Sequence, residues 1–99
     1  MLTVHNHYFK KNSSISEFSD FIINNFELRK QQYMGKDGFV SMTNSISDAG
    51  DCLTVTINWA DQDARGRLKG ESDQLGLTEV LNEYCIQNVI IPTKTVIVV

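Results

Sequence analysis

The chain has 99 residues, 41% of them hydrophobic and 21% charged. That balance describes one folded domain and not a disordered segment. The net charge is −3, and no basic run exceeds Lys10-Lys11 or Arg29-Lys30. Nucleic-acid binding rests on positive charge, so a nucleic-acid partner is not expected. No apolar run approaches the roughly 20 residues that span a bilayer. Met1 to His5 also lacks the basic-then-apolar layout of a signal peptide. The expectation is therefore a cytoplasmic protein with no membrane partner. Cys52 and Cys85 form no disulfide framework and no close-spaced metal motif. They read as two small, half-buried thiols.

The first element is a strand from Leu2 to Phe9. Leu2, Val4, Asn6 and Tyr8 alternate with Thr3, His5, His7 and Phe9, and period two is the signature of a sheet. A polar break follows over residues 10–14. Ser14 and Glu17 have the spacing of a capping box, which predicts a helix start there. Ile15, Phe18, Ile22 and Phe26 repeat at three and four, with Phe21 and Ile23 widening the stripe, so the helix should reach Gln31 or Tyr33. The sequence Gly35-Lys-Asp-Gly38 is a turn signal. A second strand is predicted from Phe39 to Ile46, with Val40, Met42, Asn44 and Ile46 on one side and Phe39, Ser41, Thr43 and Ser45 on the other. Residues 47–51 make a hairpin loop.

The stretch from Cys52 to Arg67 organises the rest. Leu53, Val55, Ile57 and Trp59 alternate with Thr54, Thr56 and Asn58, a strong strand signal in β-branched and aromatic residues. The period then changes. Asp61 or Asp63 can cap a helix, and Ala64 and Leu68 fall four apart. Gly66 and Gly70 each cost about 1 kcal/mol against Ala, which predicts a short or broken helix restarting at Ser72 to Leu75. Leu77, Val80, Leu81 and Tyr84 continue the helical spacing. Val89 to Val99 is strand-like. Pro92 within it cannot donate to a ladder, so it should mark a bulge, an edge or a loop.

The order strand, helix, strand, strand, helix, strand predicts an α+β, ferredoxin-like sandwich with a four-stranded antiparallel sheet and two helices on one face. Right-handed crossovers place the first and third strands centrally. The uncovered face should carry Thr3, His5, His7, Phe9, Phe39, Thr54 and Thr56. A solvated face would carry more charge, and a Val-rich tail invites edge pairing. A homodimer closing this face with twofold symmetry is therefore expected.

Three segments carry a resemblance. Leu2-Thr-Val-His-Asn6, Lys36-Asp-Gly-Phe-Val-Ser41 and Ile57-Asn-Trp-Ala-Asp-Gln-Asp-Ala64 are similar to the antibiotic biosynthesis monooxygenase family of dimeric α+β-barrel proteins. Gly38-Phe39 opening the second strand, and Trp59 before an acidic, Ala-containing helix start, match in place and spacing. The resemblance implies an ABM-like domain over residues 1–99. Family members include oxygenases of quinols or anthrone-like aromatics that need no metal or flavin, haem-degrading enzymes, sugar isomerases and simple binders. Asn6 resembles the strand-one Asn of the haem-degrading branch. The Trp and His of that branch fall near Leu68 and Thr78 here, so the chain departs from it.

Asn6, Tyr8 and Trp59 share the parity of the core-facing side chains. The amide and phenol are candidates to hydrogen-bond a phenolic or carbonyl oxygen, and Trp59 to wall an aromatic pocket. Antiparallel pairing sets Asn6 and Trp59 toward opposite ends of the sheet, which leaves open whether they share one pocket. His7 is a candidate general base, its ordinary pKa lying near 6.5. His5 and His7 lie two apart on one face, a workable metal spacing that lacks a third ligand, or else an interface pair. The candidate catalytic set is Asn6, His7, Tyr8 and Trp59, with no cofactor and no metal. It fits a cofactor-independent monooxygenase of a small aromatic or quinol substrate. The alternative is a non-catalytic, ligand-binding or stress-associated barrel, favoured if Phe18, Ile22 and Met42 fill the cavity.

Overall fold

The computed structural model describes residues 1–12 and 14–99. Position 13, within the polar break, lies outside the described residues. Among the described residues the chain forms strands β1 (Leu2–Phe9), β2 (Phe39–Ile46), β3 (Cys52–Trp59) and β4 (Ile91–Val98), and helices α1 (Ser19–Tyr33), α2 (Gln62–Gln74) and α3 (Leu77–Gln87). The sheet is antiparallel in the order β2-β3-β1-β4, so the first and third strands are central. This is the α+β, ferredoxin-like arrangement, with three helices and not two over one face.

Alternation in sequence becomes alternation in burial. Leu2, Val4, Asn6 and Tyr8 of β1, and Leu53, Val55, Ile57 and Trp59 of β3, are buried beneath the helices. They meet Ile22, Phe26 and Tyr33 of α1, Leu68 of α2, and Leu81 and Cys85 of α3 in one core. β1 and β3 pair from Leu2↔Trp59 to Phe9↔Cys52. β4 pairs with β1 alone and forms an edge. Pro92 sits opposite Tyr8 without interrupting the strand, as an edge position allows.

Three local expectations are corrected. Ser14 makes no side-chain cap; its Oγ pairs with Ser16 Oγ at 2.6 Å, and Ile15–Glu17 form a single 3-10 turn before α1 begins. The helix after β3 is not broken at its glycines. Asp61 caps it by accepting from the Ala64 amide at 2.8 Å, and it runs to Gln74. Ala64, Leu68 and Ser72, four apart, are buried along it, and this packing outweighs the local cost of Gly66 and Gly70. The break comes later, where Gly76 takes the left-handed conformation (φ 74°) between α2 and α3.

The third correction concerns Phe39. A bulge between Phe39 and Ser41 leaves Val40 as the extra residue, so Phe39 faces the helices with Trp59 and not the open side. Ring centroids of Tyr33, Phe39 and Trp59 lie 5.0–5.9 Å apart, and this trio seals one end of the sheet.

The face away from the helices is a lattice of neutral hydrogen-bonding groups. Thr3 Oγ1 donates to Asn58 Oδ1 (2.6 Å), and Asn58 Nδ2 donates to Ser41 Oγ (2.9 Å). His5 Nδ1 pairs with Thr56 Oγ1 at 2.8 Å and His7 Nδ1 with Thr54 Oγ1 at 2.9 Å, their rings stacked 6.1 Å apart. Ile91 and Ile97 of β4 extend this face and are exposed.

Two glycines separate packing from propensity. A Cβ on Gly38 would stand 2.3 Å from Ala64 Cβ, at a backbone φ of 97°, whereas one on Gly66 would meet nothing within 4 Å. Thermal melts should show Gly66→Ala raising stability by about 0.5–1 kcal/mol. Gly38→Ala should lower it by roughly 2 kcal/mol or more through strain and clash. Shifts of the same sign would contradict this packing of the β3–α2 corner.

Candidate functional site

The helix layer does not close fully over β1 and β4. A cavity of about 200 Å³ remains between them. Val4, Asn6 and Tyr8 of β1 and Ile57 and Trp59 of β3 form its floor. Phe26, Arg29 and Tyr33 come from α1, Arg65 and Lys69 from α2, and Thr78, Leu81 and Asn82 from α3. Lys94, paired with Asn6 across β1 and β4, stands at the edge. Asn82 and Lys94 are exposed, while Trp59 and Tyr33 are buried, so the mouth lies between α3 and β4.

Asn6 and Trp59 share this cavity. The pairing Asn6↔Val55 and Leu2↔Trp59 sets them four positions apart along the sheet, on the same face. Asn6 Nδ2 donates to the Val55 carbonyl at 3.3 Å, which fixes the amide plane. Tyr8 packs edge-on against Phe26 with centroids 6.0 Å apart. Burial pushes its phenol well above the ordinary tyrosine range; Arg29 opposes that shift, and Cys85 adds to it more weakly. Tyr8 is therefore a hydrogen-bond donor at neutral pH and not a phenolate base. His7 is on the opposite face and does not meet the cavity. Phe18, Ile22 and Met42 do not fill it either.

Arg29 is the residue that sequence reasoning passed over. It is 6% exposed. Its Nε donates to Asn25 Oδ1 at 2.9 Å, and its guanidinium lies 4.6 Å from the centre of the Phe26 ring. Asn25 in turn donates to the Leu77 carbonyl at 2.9 Å, so α1 and α3 jointly aim the side chain. Burial lowers the Arg29 pKa, Tyr33, Tyr8 and Asp73 oppose the shift, and the group keeps its charge at neutral pH. In the sequence Arg29 figured only with Lys30, as a basic pair too short to mark a nucleic-acid footprint. The usable signal was its place on the helix stripe, three residues after Phe26 and four before Tyr33.

At the inner end, Tyr33 Oη pairs with Ser72 Oγ at 2.7 Å, and burial raises this phenol as well. Thr78 donates to Asp73 Oδ1 at 2.6 Å. Among the described residues no carboxylate or imidazole lines the cavity, and no three His, Cys, Asp or Glu side chains gather as a metal cluster. Nor is any helix among them long and apolar enough to cross a membrane. Cys85 is buried and burial raises its thiol pKa, which suits a packing role and not a nucleophile.

The arrangement binds well and titrates little. Its aromatic walls suit a flat ring, and its donors suit an oxygen on that ring. The raised phenols also couple folding to pH. An unfolded chain releases Tyr8 and Tyr33 protons near the ordinary value of about 10, while the folded chain holds them. The stability they contribute is complete below about pH 10 and is lost as pH rises beyond it. Tyrosinate absorbance should therefore appear above that pH together with loss of the Trp59 signal. A smooth titration of all tyrosines with Trp59 unchanged would contradict the buried phenols.

No protein-family model and no curated protein sequence matches the chain. Solved structures do match it in fold. SnoaB, a cofactor-independent oxygenase from Streptomyces nogalater, aligns with TM-score 0.69 and 17% identity over 99% of this chain and 91% of its own. Rv0793 from Mycobacterium tuberculosis aligns with TM-score 0.72 and 14% identity over 99% and 93%. A candidate antibiotic biosynthesis monooxygenase from Deinococcus radiodurans gives TM-score 0.69 and 11% identity over 100% and 92%. The fold of this chain is thus that of the antibiotic biosynthesis monooxygenase structures, over essentially its full length.

Proposed function

We propose that the chain is a cofactor-independent monooxygenase of a small aromatic or quinol substrate, held between sheet and helices. The observation that carries this reading is the shared cavity: Asn6, Tyr8 and Trp59 converge there despite their separation along the sheet. The fold likeness to SnoaB, itself a cofactor-independent oxygenase, supports the reaction class.

In this proposal Trp59, Tyr33 and Phe26 wall the ring, while Asn6 and Tyr8 hold an oxygen on it. The Tyr8 phenol donates to that oxygen as negative charge grows on it, which favours the carbanion-like form that O₂ attacks. For a simple quinol the balance is as follows. One atom of O₂ is inserted into a ring C–H bond. The other leaves as water with the two hydroxyl hydrogens of the quinol, giving a hydroxyquinone. The substrate supplies all four electrons.

We further propose that the protein works as a cytoplasmic homodimer, with the neutral hydrogen-bonded face of the sheet, His5 and His7 included, at the contact. A non-catalytic ligand-binding dimer is the second reading. The observation in its favour is that no carboxylate or imidazole among the described residues lines the cavity to act as a base.

An oxygen electrode with menadiol-type quinols separates the two. Uptake above the protein-free rate, without added metal or flavin, is expected for the oxygenase, and Tyr8→Phe should lower kcat by roughly 10²-fold. Uptake equal to the protein-free rate would leave the binding reading standing alone.

A further inference from the structure

Charge is distributed unevenly in this molecule. The chain carries nine Lys and Arg and twelve Asp and Glu. Four of those nine cations, Arg29, Arg65, Lys69 and Lys94, line the one cavity described above, and among the described residues none of the acids does. Asp73 is the carboxylate that faces the group from α2. Its Oδ2 lies 3.9 Å from Lys69 Nζ, and its other oxygen already accepts from Thr78. Glu71, whose charge also reaches Tyr33, is paired with Lys36, so among the described residues Asp73 is left against the four cations and the cavity is positive within a protein of net charge −3.

Arg29 sharpens the point. A guanidinium removed from water without a carboxylate partner is costly to the fold, because desolvation is not offset by an opposite charge. Here its hydrogen bond to protein is to a neutral amide, Asn25. No carboxylate among the described residues pairs with the remaining N–H groups of its fork, and since no buried side-chain nitrogen there is left without a partner, those groups face the accessible space of the cavity. Lys94, although exposed at the mouth, is crowded by like charge: partial desolvation, then Lys69, Arg65 and Arg29, lower its pKa, and Asp73 opposes them. Each of these costs is relieved by one kind of occupant, an anion.

The remaining lining decides which kind. Phe26, Tyr33 and Trp59 are aromatic walls. A planar carboxylate matches the guanidinium fork in two parallel hydrogen bonds. We propose that the cavity takes a hydroxyaryl carboxylate, its carboxylate on Arg29 and its ring against the aromatic walls. This rests on the reading of the cavity as the substrate site and names the class of substrate it selects. The four cations favour ionisation of a hydroxyl on the bound ring, while the ligand's own carboxylate, a like charge, opposes it until Arg29 pairs with that carboxylate.

The test compares salicylate with its neutral isostere salicylamide by titration calorimetry at neutral pH. Salicylate should bind at least tenfold more tightly. Raising the salt from low to physiological concentration should weaken salicylate and leave salicylamide nearly unchanged. Arg29→Gln should abolish most of the preference. Lys94→Gln, at the exposed mouth, should reduce it by a smaller factor, about threefold, and serves the same purpose if Arg29→Gln does not fold. Equal affinities, tighter salicylamide, binding of neither probe, or displacement of salicylate by equimolar inorganic phosphate would each overturn the proposal. The readout needs no turnover. Salicylate preference without oxygen uptake keeps the anion site and discards the oxygenase; uptake confined to neutral quinols, with no preference, does the reverse.

Discussion

Three helices cover one face of a four-stranded sheet, and no element among the described residues covers the other. Every feature of the molecule follows from that constraint. The covered face needs apolar side chains at alternate positions, which β1 and β3 supply from Leu2 to Tyr8 and from Leu53 to Trp59. The uncovered face cannot be apolar in a lone chain, yet it is not charged either. It is tied internally instead, Thr3 to Asn58, His5 to Thr56 and His7 to Thr54. Hydrogen bonds satisfied within the sheet make a surface that gives up little on losing its water.

The same layout creates the cavity. Helices laid over β1 and β3 leave β4 at the rim, and the gap opens between α3 and that edge. The floor is read out of strand alternation, so Asn6 and Tyr8 come to it by the rule that brings Val4. The roof comes from the stripe of α1, where Arg29 takes a place that Leu or Ile would fill in an ordinary core. A largely buried cation with no carboxylate partner is a cost to a small domain. Asn25 holds it in position between two helices. Such an arrangement marks a binding site more readily than a stabilising contact.

Much of the fold was legible in the chain. Cys52 to Trp59 alternates in β-branched residues, and the strand has those bounds. Phe39 was misplaced because a bulge adds one residue at Val40, and a bulge leaves no mark on a simple alternation. The helix from Gln62 was expected to break because propensity is local, whereas Leu68 and Ser72 are held by partners distant in sequence. The site was half legible. Asn6, Tyr8 and Trp59 carried the parity of the core. Arg29 and Lys94 did not stand out, since an Arg beside a Lys, or a Lys between two threonines, reads as surface until the register shows what lies opposite.

Sedimentation velocity at micromolar protein tests the central claim most directly, that the neutral face of the sheet is closed by a second copy. The account predicts a single species of about twice the 11.2 kDa of one chain. A stable species of one chain's mass would contradict it.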